Sequence, residues 1–140
     1  MSTRNVRPRL VGDVVLPLDR FPVVSESTLL KEALEEMGRS RLGIVCILDA
    51  ENRLLGIVTD GDIRRRLLEV QKPFSAFFVD DALDHAIREP LTVMAEDTLL
   101  EAVSRMGIHG VWDLPVTDEA GVLVGLLHLH PAVQALLDVE

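Results

Sequence analysis

The sequence predicts a mixed α/β fold of the α+β type, built as a tandem β-α-β-β-α repeat. Three observations predict this class: the chain aligns with itself at one fixed shift, the hydrophobic period changes in the same order within each half, and 48% of the residues are hydrophobic. A shift of 69 positions places residues 21–70 on residues 90–139 without a gap, which indicates two units of one architecture. The identical pairs are Val24/Val93, Leu30/Leu99, Glu32/Glu101, Ala33/Ala102, Met37/Met106, Gly38/Gly107, Asp49/Asp118, Leu54/Leu123, Gly56/Gly125, Leu67/Leu136, Leu68/Leu137 and Val70/Val139.

Each unit is expected to begin with a strand and a helix. The short apolar stretches at residues 22–24 and 91–93 predict the first strand. Apolar residues then recur at helical spacing and fall on one face, which predicts an amphipathic helix. These residues are Leu30, Ala33, Leu34 and Met37 in the first unit and Leu99, Ala102, Val103 and Met106 in the second.

A hairpin and a closing helix are predicted to complete each unit. Two apolar runs are separated by "DAEN" in the first unit and by "DEAG" in the second, and both stretches are rich in turn residues and short enough for a hairpin. The closing helix is predicted from about residue 61 to 70 and from about 131 to 139, where Pro131 suits a first helical turn.

The predicted boundaries are a first unit at residues 10–70, a connector at 71–89 and a second unit at 90–140. Residues 10–20, at the start of the first unit, precede the repeated residues 21–70 as the connector precedes residues 90–139. One unit of this size buries too little surface to be stable alone, so we expect the two units to pack face to face and to cover each other's sheets.

The overall charge excludes some classes of partner. The formal net charge is -9, which argues against a general nucleic-acid binder and against adhesion to anionic membranes. No apolar run approaches the roughly 20 residues of a membrane-spanning helix, and the N-terminal residues lack the apolar core of a signal peptide. We therefore expect a cytoplasmic protein.

Cys46 lies within the apolar run "GIVCIL", which predicts a buried, unreactive thiol.

The segment "GIVTDGDIRRR" places three arginines behind a Thr-Asp-Gly-Asp turn. The pattern predicts the end of a strand at residues 56–59, a turn at 60–62 and a helix from 63. Backbone N–H groups at a helix start lack intrahelical partners and the helix dipole is positive there, so such a turn attracts anions. We expect Thr59 to donate a hydrogen bond to a phosphate and Gly61 to permit close approach of a ligand.

The charged side chains of the turn have separate expected roles. The arginines at 64–66 can add positive charge to one side of the pocket, whereas an aspartate would repel phosphate. Asp62 is instead suited to accept hydrogen bonds from the two hydroxyls of a ribose. The alternative interpretation is that Thr59 or Asp60 only caps the helix and that the arginines form a solvated helix face.

The repeat and this segment resemble a pair of CBS domains, a Bateman module, over residues 10–140. The resemblance implies two CBS domains packed sheet to sheet with pseudo-two-fold symmetry. In that family a glycine, a threonine or serine, and an aspartate bind the ribose and phosphate of adenine nucleotides, and they match Gly56, Thr59 and Asp62. The base would be held by backbone and apolar groups near Val24, Gly43, Ile44 and Val45. The predicted nucleotide site is therefore Val24, Gly43, Ile44, Val45, Gly56, Thr59, Asp60, Gly61, Asp62 and Arg65, and its expected ligand is AMP, ADP or ATP.

A narrower resemblance concerns "LLGIVTDGDIRRRLL" and "LVGLLHLHPAVQALL". They are similar to the C-terminal CBS pair of arabinose 5-phosphate isomerases, and the first also resembles CBS pairs attached to sugar-phosphate nucleotidyltransferases. Residues 1–20 are too few for the isomerase's catalytic domain, so the resemblance implies the regulatory part only. It adds a CMP-activated sugar to the possible ligands and a sugar-phosphate enzyme to the possible partners.

The second unit departs from the pattern at two positions. His128 aligns with Thr59 and Pro131 with Asp62, so the ribose carboxylate is missing and we expect two unequal sites. His128 and His130 would point to one side of an extended chain, but without a third ligand nearby we predict a capping and packing role and no metal site.

Three classes of function fit the residues. The first is a regulatory module that binds a nucleotide and signals to a partner, and the second is a structural dimerisation or docking module with a vestigial pocket. The third is a hydrolase using Asp60, Asp62 and magnesium, for which two carboxylates in one turn supply too few ligands. We expect no enzyme activity and no cofactor. Because the helices offer more apolar surface than one pair of sheets can cover, we expect a homodimer.

Overall fold

The computed structural model describes residues 7–69 and 72–138. Within these ranges the strands are β1 (Val23–Ser25), β2 (Ile44–Leu48), β3 (Leu54–Thr59), β4 (Asp113–Thr117) and β5 (Leu123–His128). The α-helices of the same residues are α1 (Leu30–Ser40), α2 (Asp60–Glu69), α3 (Phe74–Phe78), α4 (Leu99–His109) and α5 (Leu129–Leu137). Short 3-10 helices lie at Val11–Asp13, Leu18–Arg20 and Ala82–His85. The predicted helix ends at residues 70 and 139 lie outside the described residues.

The two sheets differ by one strand. In the first repeat β1 pairs parallel to β2, and β2 pairs antiparallel to β3. In the second repeat β4 and β5 form the antiparallel hairpin, but the strand predicted at residues 91–93 is reduced to a single parallel bridge between Val93 and Val116. The reason is Pro115, which aligns with Cys46: the Cys46 N–H donates to the Pro22 carbonyl at 3.0 Å, and a proline has no N–H to donate.

The segment that precedes each repeat packs on the other repeat. The Leu99 N–H donates to the Arg9 carbonyl at 2.8 Å, and the Leu30 N–H donates to the Asp80 carbonyl at 2.8 Å. The two donors are equivalent under the repeat, and each donates to the segment that precedes the other repeat. Residues 9–16 therefore complete the second repeat and residues 80–87 complete the first. The sequence-based boundaries had assigned residues 10–20 to the first unit; this exchange is a structural feature that they did not include.

A glycine on the second strand of each hairpin makes the exchange possible. Leu16 forms an antiparallel bridge with Leu126, and Ile87 forms the matching bridge with Ile57. A Cβ at Gly56 would lie 2.7 Å from the Ile87 carbonyl oxygen, and a Cβ at Gly125 would lie 2.7 Å from that of Leu16. Any larger residue would push the bridging segment away.

Separate apolar clusters lie beneath the helices of each repeat, and a third cluster joins the two sheets. The third cluster is formed by Phe21, Ile44, Cys46, Leu48, Ile57, Leu123 and Leu126. The hairpins also hydrogen-bond to each other, because the Leu54 N–H donates to the Gly121 carbonyl at 2.9 Å and the Leu123 N–H donates to the Asn52 carbonyl at 3.0 Å. The predicted packing of sheet on sheet is confirmed.

Cys46 lies in this sheet-to-sheet cluster and is fully buried. Burial, together with the nearby Asp113 carboxylate, raises the pKa of its thiol to about 12. The prediction of a buried cysteine is confirmed, and a pKa this high leaves almost none of the thiol ionised near neutral pH.

Among the described residues, no helix has both the length and the apolar character needed to cross a membrane.

Candidate functional site

A cleft of about 810 Å³ lies between the two repeats. Its volume falls within the range of small-molecule sites, about 300 to 1,000 Å³. Both repeats and the 80–87 segment contribute to it. The cleft is lined by Arg41, Leu42, Gly43, Ile44, Ile57, Thr59, Asp60, Gly61, Asp62, Arg65, Ile87, His109, Gly110, Val111, Trp112, Asp113 and His128.

The motif that ends β3 leads directly into α2. The helix begins at Asp60, so the expectation of a separate turn at residues 60–62 was wrong. The reason is Thr59, whose side-chain oxygen accepts a hydrogen bond from the Asp62 N–H at 3.2 Å and so caps the helix. The Gly43 carbonyl accepts from the Asp60 N–H at 3.1 Å. Two N–H groups of the first turn therefore already have protein partners.

The Asp62 carboxylate is held on both of its oxygens. The Thr59 hydroxyl donates to one oxygen at 2.6 Å, and the Arg65 guanidinium donates to the other. An ionised carboxylate has about four lone-pair positions, so it can still accept two further hydrogen bonds. The Thr59 hydrogen, which was expected to reach a phosphate, is instead used to orient Asp62.

The structure brings together most of the predicted site residues. Those that line the cleft are Gly43, Ile44, Thr59, Asp60, Gly61, Asp62 and Arg65. Those that do not line it are Val24, Val45 and Gly56. Val45 follows Ile44 on β2 and therefore points to the opposite face, where it packs in the helix-side core with Val24. Gly56 instead provides space for the Ile87 backbone.

Arg41 is a cleft residue that the motif did not indicate. It follows α1 and has a φ of +60°, a left-handed conformation that costs a non-glycine residue about 1 kcal/mol. The equivalent position after α4 is Gly110, with a φ of +66°. Arg41 and Arg65 together give the cleft two guanidinium groups that can bind an anion.

The second repeat presents an acid–base pair to the cleft. His128 and Asp113 are register partners on β5 and β4, as Thr59 and Ile44 are on β3 and β2. The His128 Nδ1 lies 2.7 Å from Asp113 Oδ1. Burial raises the pKa of Asp113 above its usual range, and the hydrogen bond to His128 opposes that rise.

His128 and His130 do not share one side of an extended chain. His128 ends β5, whereas His130 lies in the first turn of α5 and is exposed. The two-ligand arrangement considered from the sequence therefore does not occur. His128 is the N-cap residue of α5, but its side chain makes no capping hydrogen bond, so the predicted capping role was wrong. Within the described parts of the chain, no group of three or more His, Cys, Asp or Glu residues could hold a metal ion.

A hydrogen-bond network fixes the 80–87 segment beside α2. The His85 ring accepts from Arg66 Nε at 3.2 Å through Nδ1, and its Nε2 lies 2.8 Å from Asp80 Oδ2. The ring also stacks on Phe77 at a centroid distance of 4.3 Å. Lys72 and then His85 lower the pKa of Asp80 by hydrogen bonding to its carboxylate. This network holds the segment that carries Ile87 into the cleft.

The cleft residues of the second repeat could have been found by extending the motif through the repeat. Leu42, Gly43 and Ile44 align with Val111, Trp112 and Asp113, and all six line the cleft. Ile87 carries no comparable signal, because its place in the cleft depends on the exchange of segments.

Comparison with known proteins identifies the fold. The model of the CBS domain family matches residues 11–69 and 79–130. The chain belongs to the CBS domain family. The two matches make it a CBS pair, as the sequence resemblance implied.

Solved structures of CBS pairs have the same architecture. CBSX2 from Arabidopsis thaliana superposes with a TM-score of 0.79 at 28% identity, over 94% of this chain and 96% of that one. A crystal structure of CBSX2 in complex with AMP superposes with a TM-score of 0.80 at 29% identity, over 92% and 96% of the two chains.

Curated relatives match this CBS pair over part of their own length. The arabinose 5-phosphate isomerase KpsF of Escherichia coli is 33% identical over 108 residues, which are 77% of this chain and 32% of that protein. The uncharacterised protein RP505 of Rickettsia prowazekii is 29% identical over 80% of this chain and 33% of its own. The chain thus spans about a third of the length of these relatives.

Proposed function

We propose that this CBS pair is a regulatory module that binds an adenine nucleotide, AMP, ADP or ATP, in the cleft and has no catalysis of its own. The observation that carries the proposal is the Asp62 carboxylate, held by Thr59 and Arg65 at the start of α2 on the cleft wall. A fixed carboxylate with free lone pairs is suited to the paired hydroxyls of a ribose.

The rest of the cleft supports a phosphorylated ligand with an apolar base. Arg41 and Arg65 offer guanidinium groups to a phosphate, although Arg65 would share its charge with Asp62. Ile44, Ile57 and Ile87 supply an apolar wall. The AMP complex of CBSX2, at 29% identity, supports an adenine nucleotide as the ligand of this fold.

A nucleotide sugar is a second candidate ligand. The similarity to KpsF favours it, because a pair of this kind attached to a sugar-phosphate enzyme could sense a CMP-activated sugar, and a cleft of about 810 Å³ has room for one. Whichever of the two ligands binds, the proposed partner that responds to the bound state is a sugar-phosphate enzyme.

A thermal-shift screen tests the proposal. AMP, ADP, ATP, GMP, CMP and a CMP-activated sugar are added at millimolar concentration to the wild-type chain. At one hundred times its dissociation constant, a ligand stabilises the fold by about 2.7 kcal/mol, which raises the melting temperature by several degrees. If none of them shifts the melting temperature, the chain is a docking module with a vestigial pocket.

We also propose that the chain forms a homodimer through its helices. Large apolar side chains are exposed on three of them: Leu68 on α2, Leu100 and Ile108 on α4, and Leu137 on α5. Burying such residues against a second copy is favourable. Sedimentation at micromolar concentration should give twice the mass of the 15.5 kDa chain, and a monomer would contradict the proposal.

A further inference from the structure

Trp112 is a large aromatic side chain left open to the cleft. It lies between the end of α4 and the start of β4, and 70% of its surface is exposed. An indole of this size is normally buried in a core or kept for an interface. It is also the single tryptophan of a chain without tyrosine.

The first repeat has no counterpart to this ring. Gly43 aligns with Trp112, and the backbone is the same at both positions: the Gly43 carbonyl accepts from the Asp60 N–H at 3.1 Å, and the Trp112 carbonyl accepts from the Leu129 N–H at 2.9 Å. A Cβ at Gly43 would lie 3.0 Å from Asp60 Oδ2, so a side chain there would crowd that carboxylate. The cleft therefore has an indole from the second repeat only.

The groups that suit a ribose and a phosphate come from the first repeat. Asp62, Arg65 and Arg41 all belong to it, and they share the cleft with Trp112. The second repeat offers Pro131 in place of Asp62. An aromatic side chain, by contrast, can bind the base by stacking. Such stacking does not distinguish between bases, because every base has a flat π-face.

We propose that Trp112 is the stacking platform for the base of a nucleotide whose ribose is held by Asp62. The inference rests on the proposed function and deepens it, because it makes the ligand contact both repeats at once. The base lies on the indole with the apolar wall of Ile57 and Ile87 in the same cleft. Trp112 thereby selects ligands that carry a base over sugar phosphates that lack one.

The fluorescence of the single tryptophan gives a direct readout. Titrating the wild-type chain with AMP should quench or shift the emission in step with binding measured by calorimetry. Ribose 5-phosphate, which offers the same sugar and phosphate without a base, should leave the emission unchanged even where calorimetry detects binding.

Variants separate stacking from a general effect on the fold. Trp112→Ala should weaken AMP binding about fivefold to a hundredfold, whereas Trp112→Phe should keep it within about threefold because the phenyl ring still stacks. Binding of ribose 5-phosphate should be unchanged in both. Val79→Ala, at an exposed apolar residue outside the lining of the cleft, serves as the matched control and should bind AMP as the wild type does.

The outcomes distinguish this inference from the proposed function. If AMP binds by calorimetry while the emission stays constant and Trp112→Ala retains full affinity, Trp112 is not the platform and the nucleotide site stands without it. If no nucleotide binds the wild-type chain, the proposed function fails and the inference fails with it.

Discussion

At the cleft, the first repeat pairs Ile44 with Thr59, whereas the second repeat pairs Asp113 with His128 in the same register of the same hairpin. In the first repeat Ile44 is apolar, and the Thr59 hydroxyl holds the adjoining Asp62 carboxylate by a hydrogen bond. The second repeat turns the same two positions into a hydrogen-bonded acid and base. The two repeats thus keep one backbone arrangement, while both members of a facing pair of side chains differ between them.

Away from the cleft the two repeats share the exchange of segments, although their sheets differ by one strand. Gly56 and Gly125 each leave space for the carbonyl of a bridging segment, and the segments themselves are exchanged symmetrically. Neither glycine lines the cleft, although Ile87, whose backbone packs on Gly56, does. We therefore expect matched substitutions at the two glycines to reduce stability equally. Matched substitutions at the cleft should reduce ligand affinity in one repeat only.

The largest expected effect is on stability. Gly56→Ala and Gly125→Ala should each destabilise the fold by about 2 to 3 kcal/mol, because the new methyl group collides with a backbone carbonyl that cannot move without breaking a bridge. Urea unfolding measures the loss. Gly38→Ala and Gly107→Ala are matched controls on α1 and α4: a Cβ there meets nothing within 4 Å, so they should stabilise by up to about 1 kcal/mol. Equal behaviour of Gly56→Ala and Gly38→Ala would contradict the exchange of segments.

The next effect is on ligand affinity and should be unequal between the repeats. Asp62→Ala should weaken AMP binding by about 1.5 to 3 kcal/mol, tenfold to more than a hundredfold, because a charge-assisted hydrogen bond to the ribose is lost. Pro131→Ala should leave the affinity within a factor of about two. Calorimetry on the two variants decides the matter, and full affinity in Asp62→Ala would mean that the nucleotide is bound elsewhere.

A smaller effect tests the role of Thr59. The Thr59 hydroxyl donates to Asp62 at 2.6 Å, so Thr59→Val should leave that carboxylate less firmly oriented. The binding of AMP and of adenosine should weaken by the same amount, about 1 kcal/mol or fivefold. The expectation from the motif, that Thr59 donates to a phosphate, implies a larger loss for the phosphorylated ligand. A loss confined to AMP would restore that interpretation, in which the hydroxyl turns to the phosphate.

The sequence predicted the repeat because hydrophobic period and turn residues are local signals. Helices α1 and α4 and both hairpins lie where the pattern placed them. The start of α2 was placed too late because an Asp-Gly-Asp stretch resembles a turn when the capping bond of Thr59 is not known. The strand at residues 91–93 was expected from its apolar residues, but its length depends on the partner strand, where Pro115 cannot donate.

The site was predicted in part for the same reason. Thr59, Gly61 and Asp62 follow one another along the chain, so a motif can identify them, and they line the cleft. Val45 was included although neighbouring residues of a strand face opposite sides. Ile87 was missed because its place depends on two segments that cross between the repeats, which no local pattern records.

The stoichiometry of AMP binding tests most directly the claim that the two halves of the cleft have different chemistry. Calorimetry of the wild-type chain with AMP should give one nucleotide per chain, because the proposed ribose site needs Asp62 and the second repeat has Pro131 at the aligned position. The same titration of Asp62→Ala should lose this binding event. Two nucleotides per chain with similar affinities would contradict the account, since they would show that Pro131 and the Asp113–His128 pair serve a ligand as well as Asp62 does.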